Sequence, residues 1–400
     1  MSPTIDLGAR QTIEALRSGV PSDAAVRMLG TTQHEIEDRF GKALKDTDSG
    51  LGVLPLVIDA NFGDGKSHLL QQLRVKAEAD GYATGTVVVG PDAPIGNSHV
   101  ILKALSEVAR IPGRTGKALG ELASGATRDA VSDLRLWARD APIQDRFRAL
   151  LRVYEATQDD ELRVEIIEDL EGKPLLKSRI ARELRALGES SHYELKGPRN
   201  PELAHDRIQI FAQFCRTHGH FGLVVFFDEL ERIERFTFKA RLAAYEELGW
   251  WRSMCEAPTV PIYAVFAMTS GSIEQCLDDK GDEARLRSSL LQEERDDFAL
   301  AGIELLRRFT NRLKPASRDD LEVLQHGIRD LYRGAYHVVP APIAHRAALT
   351  TVRAEIRRWI TEWDLARHFP GYRPKIETQE LPEDTSEIPE ELMSADDEVG

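Results

Sequence analysis

Residues 53–70 read VLPLVIDANFGDGKSHLL, and no other stretch restricts the fold of this chain as tightly. A short apolar run, a turn carrying Gly63 and Gly65, then Lys66, Ser67, Leu69 and Leu70 describe a strand, a loop and the opening of a helix. Such a loop needs glycine, because backbone N–H groups approach an anion closely only where no Cβ intervenes. Gly63 and Gly65 are therefore expected to open the backbone to phosphate, Lys66 to neutralise β/γ charge and Ser67 to ligate Mg²⁺. Asn61, Phe62, Asp64 and His68 complete the predicted phosphate-binding set. The pattern G-x-x-x-x-G-K-[ST] has its first glycine where this chain has Ala60, and a methyl group is compatible with binding there if the local φ is negative.

The flanking pattern predicts an α/β fold. Residues 54–58 read as a buried strand and 83–89 as a second, with the loop and a helix between them and another helix after. A βαβ unit of this kind implies a parallel sheet with helices on its faces, the P-loop NTPase architecture. Residues 222–227 and 260–268 are continuous apolar runs suited to buried parallel strands. The expected organisation is a helical segment over 1–50, a core split between 51–112 and 217–300, and a helical insertion over 113–216. A helical lid follows over 301–372, with helical spacing at 305–313, 321–332 and 347–366, and then a disordered acidic tail over 373–400.

The run Leu223–Phe227 delivers Asp228 and Glu229, and two carboxylates at the end of a buried strand suit the second half of a nucleotide site. Asp228 is expected to hold Mg²⁺ and Glu229 to orient and polarise the attacking water. Thr269 ends the 260–268 strand, either as a polar sensor beside the γ-phosphate or as a hydroxyl satisfying the following turn. Arg307 and Arg308 sit in a segment that resembles the AAA+ element presenting an arginine to a neighbouring subunit's nucleotide; the plainer reading is a basic helical face. Arg353 is expected to reach back to the phosphates from a helix over 346–367, solvated pairing with nearby acids being the alternative.

Charge decides less than the total of −14 suggests, because residues 376–400 hold ten carboxylates and no Lys or Arg. Without them the other 375 residues stand at −4, which neither supports nor excludes a DNA-facing patch. No run approaches the ~18 apolar residues of a membrane span, and the first residues lack a basic-then-apolar leader, so a cytoplasmic location is expected. Cys215, Cys255 and Cys276 are scattered and odd in number, as expected of buried thiols in a reducing compartment. Cys215, His218 and His220 lie close together without a fourth metal ligand at suitable spacing. Trp250 and Trp251 suit packing better than base stacking.

Taken together, IEALRSGVPSDAAVRMLG at 13–30, NFGDGKSHLL at 61–70 and GLVVFFDELERI at 222–233 resemble the ATP-binding proteins of bacterial BREX phage-exclusion systems, of the BrxD type. VFAMT at 265–269 and NRLKPASRDDLEVL at 311–324 follow in the expected order. These proteins are related to origin-recognition-type AAA+ ATPases. The resemblance implies a Mg²⁺-dependent ATPase that acts on or beside double-stranded DNA with a helicase or methylase partner, as a motor, loader or regulator. A homo-oligomer would let Arg307 or Arg308 act in trans. The alternative is a slow nucleotide-dependent switch that holds partners without itself acting on DNA.

Overall fold

The computed structural model describes residues 6–195, 200–289, 294–343, 351–369 and 371. Three helices open the chain: α1 (Leu7–Ser18), α2 (Asp23–Leu29) and α3 (His34–Asp48). Strand β1 (Leu56–Ala60), helix α4 (Lys66–Ala79), strand β2 (Ala83–Val88) and helix α5 (Ser98–Val108) form the first βαβ unit. Six further helices follow: α6 (Ala118–Ser124), α7 (Arg128–Asp140), α8 (Asp145–Ala156), α9 (Asp160–Leu170), α10 (Lys177–Ala186) and α11 (Asn200–Thr217). Next come β3 (Leu223–Asp228), α12 (Phe238–Glu256), β4 (Ile262–Thr269), the single turn α13 (Ser272–Glu274), α14 (Asp282–Ser289) and α15 (Glu294–Arg308). The last elements are β5 (Thr310–Arg312), α16 (Arg318–Tyr336) and α17 (Val352–His368).

The five strands form one parallel sheet in the order β2-β3-β4-β1-β5. Leu223 to Phe227 of β3 are fully buried, so this strand carries no polar alternation, as a central parallel strand requires. Each of these large side chains contributes about 1.5–3 kcal/mol relative to exposure. Strand β1 begins two residues later than the apolar run suggests. Pro55 has no N–H to give a ladder, whereas Asp59 and Ala60 continue the pairing opposite Met268 and Thr269.

Strand β5 overturns the expectation that the helical spacing of 305–313 continues as helix beyond Arg308 and that everything from 301 belongs to a lid. Helix α15 packs along α12, and Thr310–Arg312 then pairs with Val57–Asp59 of β1, Asn311 Nδ2 donating to Val57 O at 3.0 Å. A three-residue strand is too short to show alternation, and its partner lies about 250 residues away, so only tertiary pairing reveals it. The α12–α15 contact is backbone to backbone. A Cβ placed on Gly249 would lie 1.9 Å from Phe298 O, and one on Gly302 2.1 Å from Tyr245 O. At the far end of α12, Arg241 is buried and donates to both Asp282 oxygens at 2.6 and 2.8 Å, with Tyr245 Oη donating to Asp282 Oδ2 at 2.8 Å.

Two apolar clusters organise the described residues. The larger holds the sheet, α3 and apolar side chains of the 113–216 helices, so that insertion shares the sheet's core. Asp169 anchors it from within, fully buried and bound by Arg207 Nη2 at 2.8 Å and by Arg146. The smaller cluster joins α1 and α2 to α16 and α17 through Ile13, Leu16, Ile328, Tyr332, Trp359 and Trp363. The expected 1–50 segment is thus divided, α3 facing the sheet and α1 and α2 completing the C-terminal helical cluster. Tyr332 Oη donates to Asp364 Oδ1 at 2.8 Å across that cluster. The predicted start of the last helix at 346–350 and the predicted acidic tail at 373–400 lie outside the described residues.

Candidate functional site

Strand β1 ends at Ala60, and the chain turns through Asn61–Gly65 into α4. Gly63 (φ +85°) and Gly65 (φ +97°) occupy left-handed backbone that other residues rarely adopt. Ala60 is not among the residues of positive φ, so its methyl group carries no backbone strain. It is a buried strand residue opposite Thr269. Gly65 caps α4 without a side-chain hydrogen bond, which leaves the N–H groups of the first turn facing the loop. A helix start of this kind attracts an anion.

Lys66 is nearly buried and donates from Nζ to Thr269 Oγ1 at 2.7 Å and to Ala60 O at 3.2 Å. Ser67 Oγ donates to Asp228 Oδ2 at 2.9 Å, joining α4 to the tip of β3. Burial pushes the Asp228 carboxyl above its ordinary range, opposed by the Ser67 hydroxyl and by the Glu229 N–H at 2.9 Å. Glu229 has φ +59°, one of two non-glycine residues of positive φ among those described, and it pairs with Arg232. Burial also raises its carboxyl, with Arg232 pulling the other way.

Lys66, Ser67, Asp228 and Glu229 line a cavity of about 410 Å³. Its polar wall is the Phe62–His68 loop and helix start with Asp228, Glu229 and Glu231; its apolar wall includes Val20, Pro21, Leu29, Val323, Leu324 and Ile356. The C-terminal helical cluster closes onto the loop. Arg353 N donates to Gly63 O at 3.2 Å, and the Arg353 guanidinium lies 5.3 Å from the centre of the Phe62 ring. A Cβ on Gly63 would stand 2.7 Å from Thr351 Oγ1, so glycine is required there by contact as well as by φ.

The structure thus brings together Gly63, Gly65, Lys66, Ser67, Asp228, Glu229, Thr269 and Arg353. Asn61 does not line the cavity; its Nδ2 donates to Asp64 Oδ2 at 3.0 Å. The His68 ring is tied by Nε2 to Gly30 O at 2.9 Å, and burial lowers its basicity, so it serves as a link from α4 to α2. Arg307 and Arg308 lie away from this cavity. Arg307 is held by Asp278, and by Glu283 at 2.8 Å, so two carboxylates of its own chain engage its donors. Arg308 is 73% exposed and makes a helical pair with Glu304 at 3.1 Å. Outside this site, Trp251 is fully buried and Trp250 stacks on His205 with ring centres 3.9 Å apart.

Two parts of the site were not anticipated. Glu231 accepts from Thr269 through Oγ1 at 2.6 Å and through the backbone N at 3.2 Å, and its Oε1 stands 4.0 Å from Lys66 Nζ. Its signal was the third carboxylate of Asp228-Glu229-Leu230-Glu231, which is indistinguishable from surface charge until the turn after β3 folds it back. The apolar wall from α1 and α2 was the other omission.

Asp228, Thr269 and Arg353 all fall within residues 140–362, which match the family described as BREX system ATP-binding protein BrxC/D. The chain belongs to this family. The match covers more than half of its 400 residues and begins beyond the Gly63–Ser67 loop. None of the curated proteins compared with this BrxC/D-family chain matches it. Among its described residues no helix is long and apolar enough to cross a membrane.

Proposed function

We propose that this BrxC/D-family chain is a P-loop NTPase of AAA+ type that binds ATP with Mg²⁺ in the cavity and hydrolyses it. The supporting observation is the convergence of a helix start without a side-chain cap, Lys66, the Ser67–Asp228 pair and Glu229, from the start of α4 and the end of β3, on one 410 Å³ cavity. In this reading the α4 N–H groups and Lys66 hold the β- and γ-phosphates, the apolar wall of Val20, Pro21, Leu29, Val323, Leu324 and Ile356 takes the base, and Arg353 closes the lid. Ser67 and Asp228 are hard oxygen donors 2.9 Å apart and fit Mg²⁺ as ligands. When bound, the ion would neutralise phosphate charge. Glu229, whose carboxyl is made more basic by burial, would orient the attacking water and take up its proton.

The family and the sequence features suit a DNA-associated motor, loader or regulator in BREX phage defence, working with a helicase or methylase as a homo-oligomer in the cytoplasm. A second reading, a slow switch that recruits partners, is favoured by two contacts: Glu229 is engaged by Arg232, and Arg307 by Asp278 and Glu283. ATP turnover is measured with and without double-stranded DNA across protein concentrations. Lys66→Ala should abolish nucleotide binding, and Glu229→Gln should retain ATP while losing turnover about 100-fold or more. Turnover by Glu229→Gln equal to that of the unaltered protein rejects the hydrolysis assignment. DNA-stimulated turnover that falls with salt supports direct contact with duplex DNA, and a specific activity independent of concentration supports the switch.

A further inference from the structure

We infer that Glu231 is a positioning residue that parks Lys66 on the tip of β4 until phosphate displaces it. The inference rests on the nucleotide reading of the cavity. The donor directions are fixed by chemistry. An ammonium group can only donate and an ionised carboxylate can only accept, so Lys66 gives a proton to Thr269 Oγ1 at 2.7 Å and the Thr269 hydroxyl gives its own proton to Glu231 at 2.6 Å. The Thr269 backbone N–H is also taken by Glu231, at 3.2 Å. Both donors of Thr269 are therefore committed to one carboxylate, and the residue turns only an oxygen lone pair toward Lys66.

That arrangement alters the role expected of Thr269. A sensor of phosphate needs a donor, and here Thr269 is a relay from Glu231 to Lys66. Glu231 completes the arrangement as a counter-charge 4.0 Å from Nζ, and it lies on the cavity wall where a triphosphate would arrive. An incoming phosphate must draw Lys66 away from this relay and tolerate a carboxylate nearby. Removing the Glu231 charge relieves both, so an active-site deletion of charge should tighten nucleotide binding rather than weaken it.

The experiment measures the affinity of the intact chain for a non-hydrolysable ATP analogue with Mg²⁺. Glu231→Gln keeps the shape and one acceptor for Thr269 but loses the charge; it should bind the analogue about fivefold more tightly, the scale of one solvent-screened charge at 4.0 Å. Glu231→Asp keeps the charge and should stay near the unaltered affinity, whereas a merely structural role would weaken binding in both variants. Thr269→Val removes the relay, and combining it with Glu231→Gln should give less than the sum of the two effects. Unchanged or weaker binding by Glu231→Gln overturns the inference. If Lys66→Ala binds the analogue as well as the unaltered protein, the nucleotide reading itself fails; if Lys66→Ala loses binding and Glu231→Gln does not tighten it, only the parking role fails.

Discussion

Replacing Gly249 with alanine tests the most crowded contact of the core. A Cβ at Gly249 would sit 1.9 Å from Phe298 O, 1.1 Å inside the 3.0 Å that real Cβ contacts essentially never cross. The obstacle is a helix backbone, which cannot rotate aside as a side chain can, so α12 and α15 have to separate along their length. Overpacking of a core costs typically about 1–3 kcal/mol, and a backbone clash of this depth belongs at the upper end. With an unfolding entropy of roughly 2 cal/mol/K per residue, a loss of about 3 kcal/mol lowers Tm by about 3–4 °C for a 400-residue chain that unfolds as one unit. Because α15 leads into β5, the same variant should loosen the pairing of Thr310–Arg312 with β1, read as faster amide exchange at those residues. Gly120→Ala is the control: nothing lies within 4 Å of its Cβ, and the change should leave Tm equal or slightly higher. Thermal unfolding followed by calorimetry decides the matter, and a Gly249→Ala protein melting within about 1 °C of the unaltered chain would refute the close-packing argument.

Arg308→Ala should lower turnover at high protein concentration without moving Tm, since the side chain is 73% exposed and its only described ion pair is with Glu304. Arg307→Ala should instead lower Tm slightly, because Asp278 loses its ion pair while Glu283 keeps Arg287; full turnover by assembled Arg308→Ala would rule Arg308 out as a residue acting in trans. Burial lowers the basicity of His218 and His220 from the ordinary value of 6.5, so the unfolded chain takes up protons that the folded chain refuses. Stability is therefore full above pH 6.5 and declines as pH falls from there toward the lowered folded values. Replacing both with glutamine should flatten the acid side of a Tm-against-pH curve, and an unchanged slope would show that other groups govern it.

Local chemistry was legible where one stretch of chain holds all the reacting parts. Gly63, Gly65, Lys66 and Ser67 lie within five residues, and their types prescribe a turn, a charge and a hydroxyl at a helix start; the apolar Leu223–Phe227 run, read beside that loop, suits a buried strand ending in carboxylates. Ala60 was readable to the same degree: whether its methyl group is tolerated depends on φ, and strand pairing with Thr269 supplies an ordinary one. What the sequence could not carry is set by partners distant along the chain. Strand β5 exists because β1 offers it a ladder, α1 and α2 complete the C-terminal helices because Ile13 and Leu16 meet Ile328 and Trp359, and Arg307 is occupied because Asp278 folds back beside it. Glu231 shows the division most sharply. As the third acid after a strand it could be any solvated charge, and only the packing of β3 against β4 brings its carboxylate to Thr269 and within 4.0 Å of Lys66. Residue type fixes which interactions a side chain can make; the tertiary fold, by choosing its neighbours, decides which of them it does make.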